Sequence, residues 1–180
     1  MTLWTVGHST RSLSEFIGIL RSQQIEALAD VRKLPGSHRY PHFDRDPLAA
    51  ALHAEDIVYH HFPDLGGRRR PKPDSRNTAW RHPAFRGYAD YMETPEFARG
   101  VERLTALASE KRTVMMCAEA VWWRCHRSLI ADFLKARGWS VIHICDAHKT
   151  QEHPYTSAAR FIDGALNYAL PGSESASSGA

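Results

Sequence analysis

Five short apolar runs, separated by segments whose apolar residues recur at helical spacing, constrain this chain more than any other feature. The runs are residues 3–8 (LWTVGH), 25–31 (IEALADV), 57–62 (IVYHHF), 113–117 (TVMMC) and 141–145 (VIHIC). Each has the length of one strand. After the first, Ser12 and Glu15 stand at capping-box spacing, and Leu13, Phe16, Ile17 and Leu20 repeat at helical intervals to about residue 22. Asp46 followed by Pro47 reads as an N-cap with proline at the first helical position. Residues 84–92 are helical, and Thr94-Pro95 opens a longer helix with Phe97, Val101, Leu104 and Ala108 on its buried stripe. A helix over 125–137 buries Leu129, Ile130, Phe133 and Leu134 and stops at Gly138. A last helix is expected near 157–168.

Strand alternating with helix is the signature of a parallel sheet covered on both faces. The expected fold is therefore α/β: a single three-layer domain over residues 1–170, with a mostly parallel five-stranded sheet and helices on both faces. Residues 171–180 (PGSESASSGA) have too little apolar content to fold and are expected to form a disordered tail. Right-handed crossovers favour a doubly wound sheet. The preferred strand order is 3-2-1-4-5, with strands one and four side by side.

Composition narrows the setting. No apolar run approaches the roughly 18 residues of a membrane span, so no membrane partner is expected. Three cysteines, an odd number, argue against a disulfide framework and for reduced thiols in a cytoplasm. The formal net charge is +3, but residues 66–82 alone hold six Arg or Lys against Asp74. The basic character thus belongs to one loop, which suggests a local anionic partner.

In a parallel sheet the loops that follow the strands share one rim, where ligands of open α/β sheets bind. That rim would hold residues 7–9, 30–32, 65–67 and 117–127. The last segment supplies Cys117, Glu119, Trp122, Trp123, Arg124, Cys125, His126 and Arg127 between a strand and the start of a helix. Free N–H groups and the dipole make a helix start positive, and a thiol there tends toward thiolate. Cys125 is thus a candidate nucleophile, with His126 or Glu119 handling protons. His8, Ser9, Arg32, Arg124 and Arg127 are candidate ligand contacts, and Asp30 orients a neighbour. The C-x5-R pattern of cysteine phosphatases is absent, because position 123 is Trp. Cys117, Cys125 and His126, with His8 or Glu119, offer zinc-type atoms without a zinc spacing. His143, Cys145, His148 and His153 form a looser set, so no metal site is assigned.

Several separated motifs carry a resemblance: TVGHS at 5–9, DVRKLPGS at 30–37, LGG at 65–67, CAE at 117–119 and CHR at 125–127. Together they resemble the family known as domain of unknown function 488, over about residues 3–155. The resemblance implies an α/β fold in a bacterial or archaeal cytoplasmic protein and no established activity. The chain departs from the family in the strongly basic loop 68–81.

Two functions follow. The first is an enzyme acting on a phosphate- or carboxylate-bearing small molecule such as a nucleotide. The second is a nucleic-acid-binding module using Arg68, Arg69, Arg70 and Lys72, helped by the basic and aromatic alternation of SHRYPHF at 37–43. Cofactor and oligomeric state are left open by the sequence.

Overall fold

The computed structural model describes residues 1–172. Six strands form one sheet: β1 (Thr2–Gly7), β2 (Ala27–Asp30), β3 (Val58–His61), β4 (Thr113–Cys117), β5 (Ser140–Ile144) and β6 (Thr150–Glu152), in the order β3-β2-β4-β1-β5-β6. The first five run parallel, and β6 returns antiparallel along β5. Helices α1 (Leu13–Ser22) and α2 (Arg45–His53) cover one face. Their Phe16, Leu20, Leu48 and Leu52 pack with Val6, Leu28, Val114 and Met116. Helices α3 (Pro83–Tyr91), α4 (Pro95–Glu110) and α5 (Arg127–Lys135) cover the other, where Tyr88, Phe97, Leu104 and Ile130 meet Leu3, Ala29, Met115 and Cys117. The α/β class and the helices on both faces are as expected.

The residue period of two is visible in β4. Val114 and Met116 point to one core, and Met115 and Cys117 to the other. All five residues of β4 are buried, and an apolar strand of this kind belongs at the centre of a sheet. The observed order corrects the expected one: β4 lies between β2 and β1, not outside β1. Strands β1 and β4 do lie side by side. Hydrophobic period reports which faces are buried but carries no information on which neighbour a strand takes.

Ser12 and Thr94 cap their helices as read, accepting from the N–H groups of Glu15 and Phe97. Helix α2 starts at Arg45, ahead of the Asp46-Pro47 signal, while the Asp44 carboxylate accepts from the Ser37 N–H at 2.6 Å. The helix expected near 157–168 is instead a hairpin of β7 (Arg160–Ile162) and β8 (Ala165–Asn167). Asp163 and Gly164 turn it with φ of 50° and 80°, the conformation that makes Asp-Gly a hairpin turn. Residues 171 and 172 form a turn, and the rest of the expected tail, 173–180, lies outside the described residues. No described helix is long and apolar enough to cross a membrane.

Candidate functional site at the strand carboxyl ends

Strand register brings the rim together. Gly7 of β1 stands beside Cys117 of β4, and Asp30 of β2 stands between Met116 and His61. The ladder continues past the strand ends, with the N–H groups of His8 and Ser9 donating to the carbonyls of Cys117 and Ala118, each at 3.0 Å. A methyl group on Gly7 would overlap the Glu119 carbonyl, so only glycine lets β1 meet the 118–120 loop.

Above this edge lies a cavity of about 650 Å³. Its walls include His8, Ser9, Arg32, Cys117, Glu119, Cys125 and His126, so most of the residues singled out from sequence line one space. Its mouth adds Lys33, Arg39 and Tyr40 from the 32–43 loop and Gly67 and Arg68 from the basic loop. Lys33 was not singled out from the sequence, and Arg39 only as part of the basic and aromatic run at 37–43. Ser9 and Arg68 both hold left-handed backbone, φ 51° and 61°, a conformation that costs a non-glycine residue about 1–2 kcal/mol. Both face the cavity.

A second cavity, about 530 Å³, shares Gly67, Arg68, Glu119, Cys125 and His126 with the first and adds Arg124, His82, Phe85 and Tyr88. Arg124 therefore stands across the Cys125–His126 wall from Arg32, not beside it.

Arg32 is held by Asp30. Its Nε and Nη2 donate to the two carboxylate oxygens at 2.9 and 2.7 Å, a bidentate pair that fixes the guanidinium plane. Tyr59 donates to the same carboxylate at 2.6 Å. The remaining Nη1 reaches His8 Nε2 at 3.4 Å. A carbonyl can only accept, so the contact from His8 Nδ1 to the Ser9 carbonyl, 2.9 Å, places the ring hydrogen on Nδ1 and leaves the Nε2 lone pair toward Arg32. Burial lowers the His8 pKa to about 4. The ring also stacks on Phe43, with centroids 4.3 Å apart.

The same logic sets His126. Its Nε2 lies 3.1 Å from the Val31 carbonyl and must carry hydrogen. Burial lowers its pKa and keeps it neutral, which leaves the Nδ1 lone pair facing the Cys125 sulfur at 3.6 Å. Gly67 makes room for this ring, since a Cβ there would sit 2.8 Å from Nδ1. Burial alone would raise the Cys125 thiol. A hydrogen bond from Cys117, the Arg127 guanidinium and the Arg127 backbone N–H outweigh it, and the net shift is downward. Cys117 moves the opposite way, well above its ordinary value, through burial and its contact with Cys125.

Arg127 is placed behind the wall rather than in the cavity. It is 1% exposed, and its Nη2 donates to the Glu119 and Ala120 carbonyls at 2.8 and 3.0 Å. Its Nε and Nη1 are buried without a hydrogen-bond partner among the described residues. No carboxylate pairs with it among the described residues, and its charge is one of the causes that lower the Cys125 thiol. The expectation of an open helix end also changes. A short turn at Trp122–Arg124 precedes α5, and the Ser128 and Leu129 N–H groups already donate to the carbonyls of Cys125 and His126. What the helix end faces is the chain's own sulfur.

Glu119 is exposed, with no ion pair among the described residues. Trp122 is 9% exposed and lies flat on His143, 3° from parallel, whereas Trp123 is half exposed. The histidines read as a loose metal set are otherwise engaged. His143 and His153 bond to each other at 2.9 Å, and His153 bonds to Asp132. No group of three or more His, Cys, Asp or Glu among the described residues is arranged to hold a metal ion. In the basic loop Arg69 lies over the Tyr91 ring, 3.6 Å from its centroid, and Lys72 approaches Glu93, while Arg68 and Arg70 are exposed.

No curated protein and no solved structure gives a significant match to the chain. The family described as a domain of unknown function, DUF488, matches residues 12–134, more than half of the sequence, and the protein belongs to that family.

Proposed function

We propose that the protein is an enzyme acting on a small molecule that bears a phosphate or carboxylate, a nucleotide being one example. The observation that carries this reading is the pairing of Cys125 with His126 on the wall of a cavity whose charged lining is Arg32, Lys33, Arg39 and Arg68 against Glu119. Asp30 neutralises Arg32, so the cations of the mouth supply the excess charge. In this reading they hold the anionic group, and Arg32, fixed by Asp30, offers Nη1 to it. Cys125 is the nucleophile. His126 Nδ1 takes its proton, and Glu119, free in the opening between the two cavities, serves the leaving group. Arg127 positions and stabilises the thiolate from behind.

The second reading is nucleic-acid binding through the basic loop. It is favoured by the exposure of Arg68 and Arg70 and weakened by the internal contacts of Arg69 and Lys72.

One experiment separates the two. Iodoacetamide labelling of Cys125 is followed by mass spectrometry in the presence of phosphate, a nucleotide panel, small carboxylates or a single-stranded oligonucleotide. Occupation of the cavity by a small anion is expected to slow labelling at least tenfold, and Arg68→Ser to weaken that protection. Protection by the oligonucleotide alone, falling steeply with salt, selects the second reading. Labelling unchanged by every small anion contradicts the first.

A further inference from the structure

Cys117 and Cys125 are eight residues apart in sequence and come from different elements, the end of β4 and the segment before α5. Both are free, both line the same cavity and pack in one buried cluster where each thiol alters the other's acidity, and the Cys117 Sγ–H donates to the Glu119 carbonyl at 3.8 Å. Behind them is Arg127, a buried guanidinium with Nε and Nη1 unpartnered among the described residues. Two adjacent thiols, one able to hold a negative charge beside a cation and one held as the neutral acid, are the parts of an attacking and a resolving cysteine. Substrate chemistry at Cys125 gives Cys117 no task beyond donating one hydrogen bond.

We propose that Cys125 and Cys117 form a reversible disulfide when the protein meets a hydroperoxide, so that the site is switched off by oxidation. The proposal rests on the reading of Cys125 as a thiolate. In the first step the Cys125 sulfur attacks one oxygen of hydrogen peroxide. The S–O bond forms, the O–O bond breaks, and the departing hydroxide takes up the proton that Cys125 had released, giving water and a sulfenic acid. Sulfur is oxidised by two electrons and the peroxide is reduced. In the second step Cys117 attacks the Cys125 sulfur. The S–S bond forms, the S–OH bond breaks, and hydroxide leaves with the Cys117 proton as a second water. Two thiols and one peroxide become one disulfide and two waters. Closure removes the negative charge beside Arg127 and the nucleophile together, and a thiol reductant restores both. Hydrogen peroxide is small enough to reach the nearly covered sulfurs, which are 5% and 2% exposed. Cys145 is more open but lies at the end of β5, outside the cavity lining.

The test uses the reduced full chain treated with about one equivalent of hydrogen peroxide, blocked with N-ethylmaleimide and mapped by mass spectrometry. A Cys117–Cys125 linked peptide, lost on treatment with dithiothreitol, is the expected result. Labelling of Cys125 by iodoacetamide should fall at least tenfold after oxidation and recover on reduction. Cys117→Ala should stop the reaction at a Cys125 sulfenic acid that dimedone traps. The wild-type map carries the test even if that variant folds poorly. Cys125 found as sulfenic or sulfinic acid with Cys117 still free overturns the pairing and leaves the thiolate reading standing. A link that instead involves Cys145 overturns the pairing too. If Cys125 resists peroxide and its alkylation also follows an ordinary thiol pH profile, the pairing and the thiolate reading fall together.

Discussion

Lowering the pH from 7 to 5 is expected to remove about 4 kcal/mol of folding stability through two histidines alone. His8 and His143 are 4% and 2% exposed, and burial lowers their pKa values from 6.5 to about 4 and about 2. The folded state therefore binds these protons less readily than the unfolded chain. The contribution is fully present above pH 6.5 and is lost as pH falls, through pH 4 for His8 and down to pH 2 for His143. At pH 5 each has lost about 2 kcal/mol, from 1.36 kcal/mol per unit over about 1.5 units. His143 has no ready place for a second proton. Its Nε2 serves His153, and its Nδ1, 2.6 Å from the Thr5 hydroxyl, accepts that hydrogen. Urea unfolding at pH 7, 6 and 5 measures the effect, and His143→Gln should flatten the slope. Stability constant across this range contradicts the neutral, buried assignment of both rings.

The largest single-residue loss is expected at Asp132. This carboxylate is fully buried on α5 and accepts from His153 Nε2, the Thr156 N–H and hydroxyl, and the Tyr168 hydroxyl, at 2.9, 2.9, 2.5 and 2.9 Å. Asp132→Ala leaves those donors buried without an acceptor, at a cost of about 3–5 kcal/mol. The damage should spread along the chain of bonds. His153 Nδ1 accepts from His143, and Trp122, lying on His143, anchors the segment that carries Glu119 and Cys125. The network thus fastens the C-terminal hairpin and one wall of the cavity to the same strand. Denaturant midpoints give the cost directly. A loss below about 1 kcal/mol would mean that water replaces the carboxylate at little expense.

The gathering of the candidate residues around one cavity was largely legible in the sequence because strand ends are legible. Strand β4 begins and ends at the residues that its apolar run marks, and that run fixes where Cys117, Glu119 and Cys125 emerge. Asp30 and Arg32 flank one residue, and their pairing follows from alternation in an extended chain. Strand order was not legible, since β4 could bury both faces on either side of β1. The last hairpin was missed because the helix expected near 157–168 took no account of Asp163-Gly164, where turn chemistry decides. Arg127 could not be placed from its type alone. An arginine is ordinarily exposed, and only the close approach of the Glu119 and Ala120 carbonyls gives this one a buried seat. The histidines at 143 and 153 carried no spacing that names their partner, because Asp132 lies on a different element.

Cys125 holds negative charge beside the buried guanidinium of Arg127. Iodoacetamide rates from pH 5 to 10, resolved for each cysteine by mass spectrometry, test it without any knowledge of the substrate. Cys145 is the most open of the three thiols, so absolute rates at one pH do not decide the matter. The midpoint of each profile does. Cys125 is expected to react with a midpoint clearly below the ordinary thiol value of about 8.5, and Cys117 to stay unreactive until well above it. A Cys125 profile with its midpoint at or above that value would show that the sulfur carries no such charge.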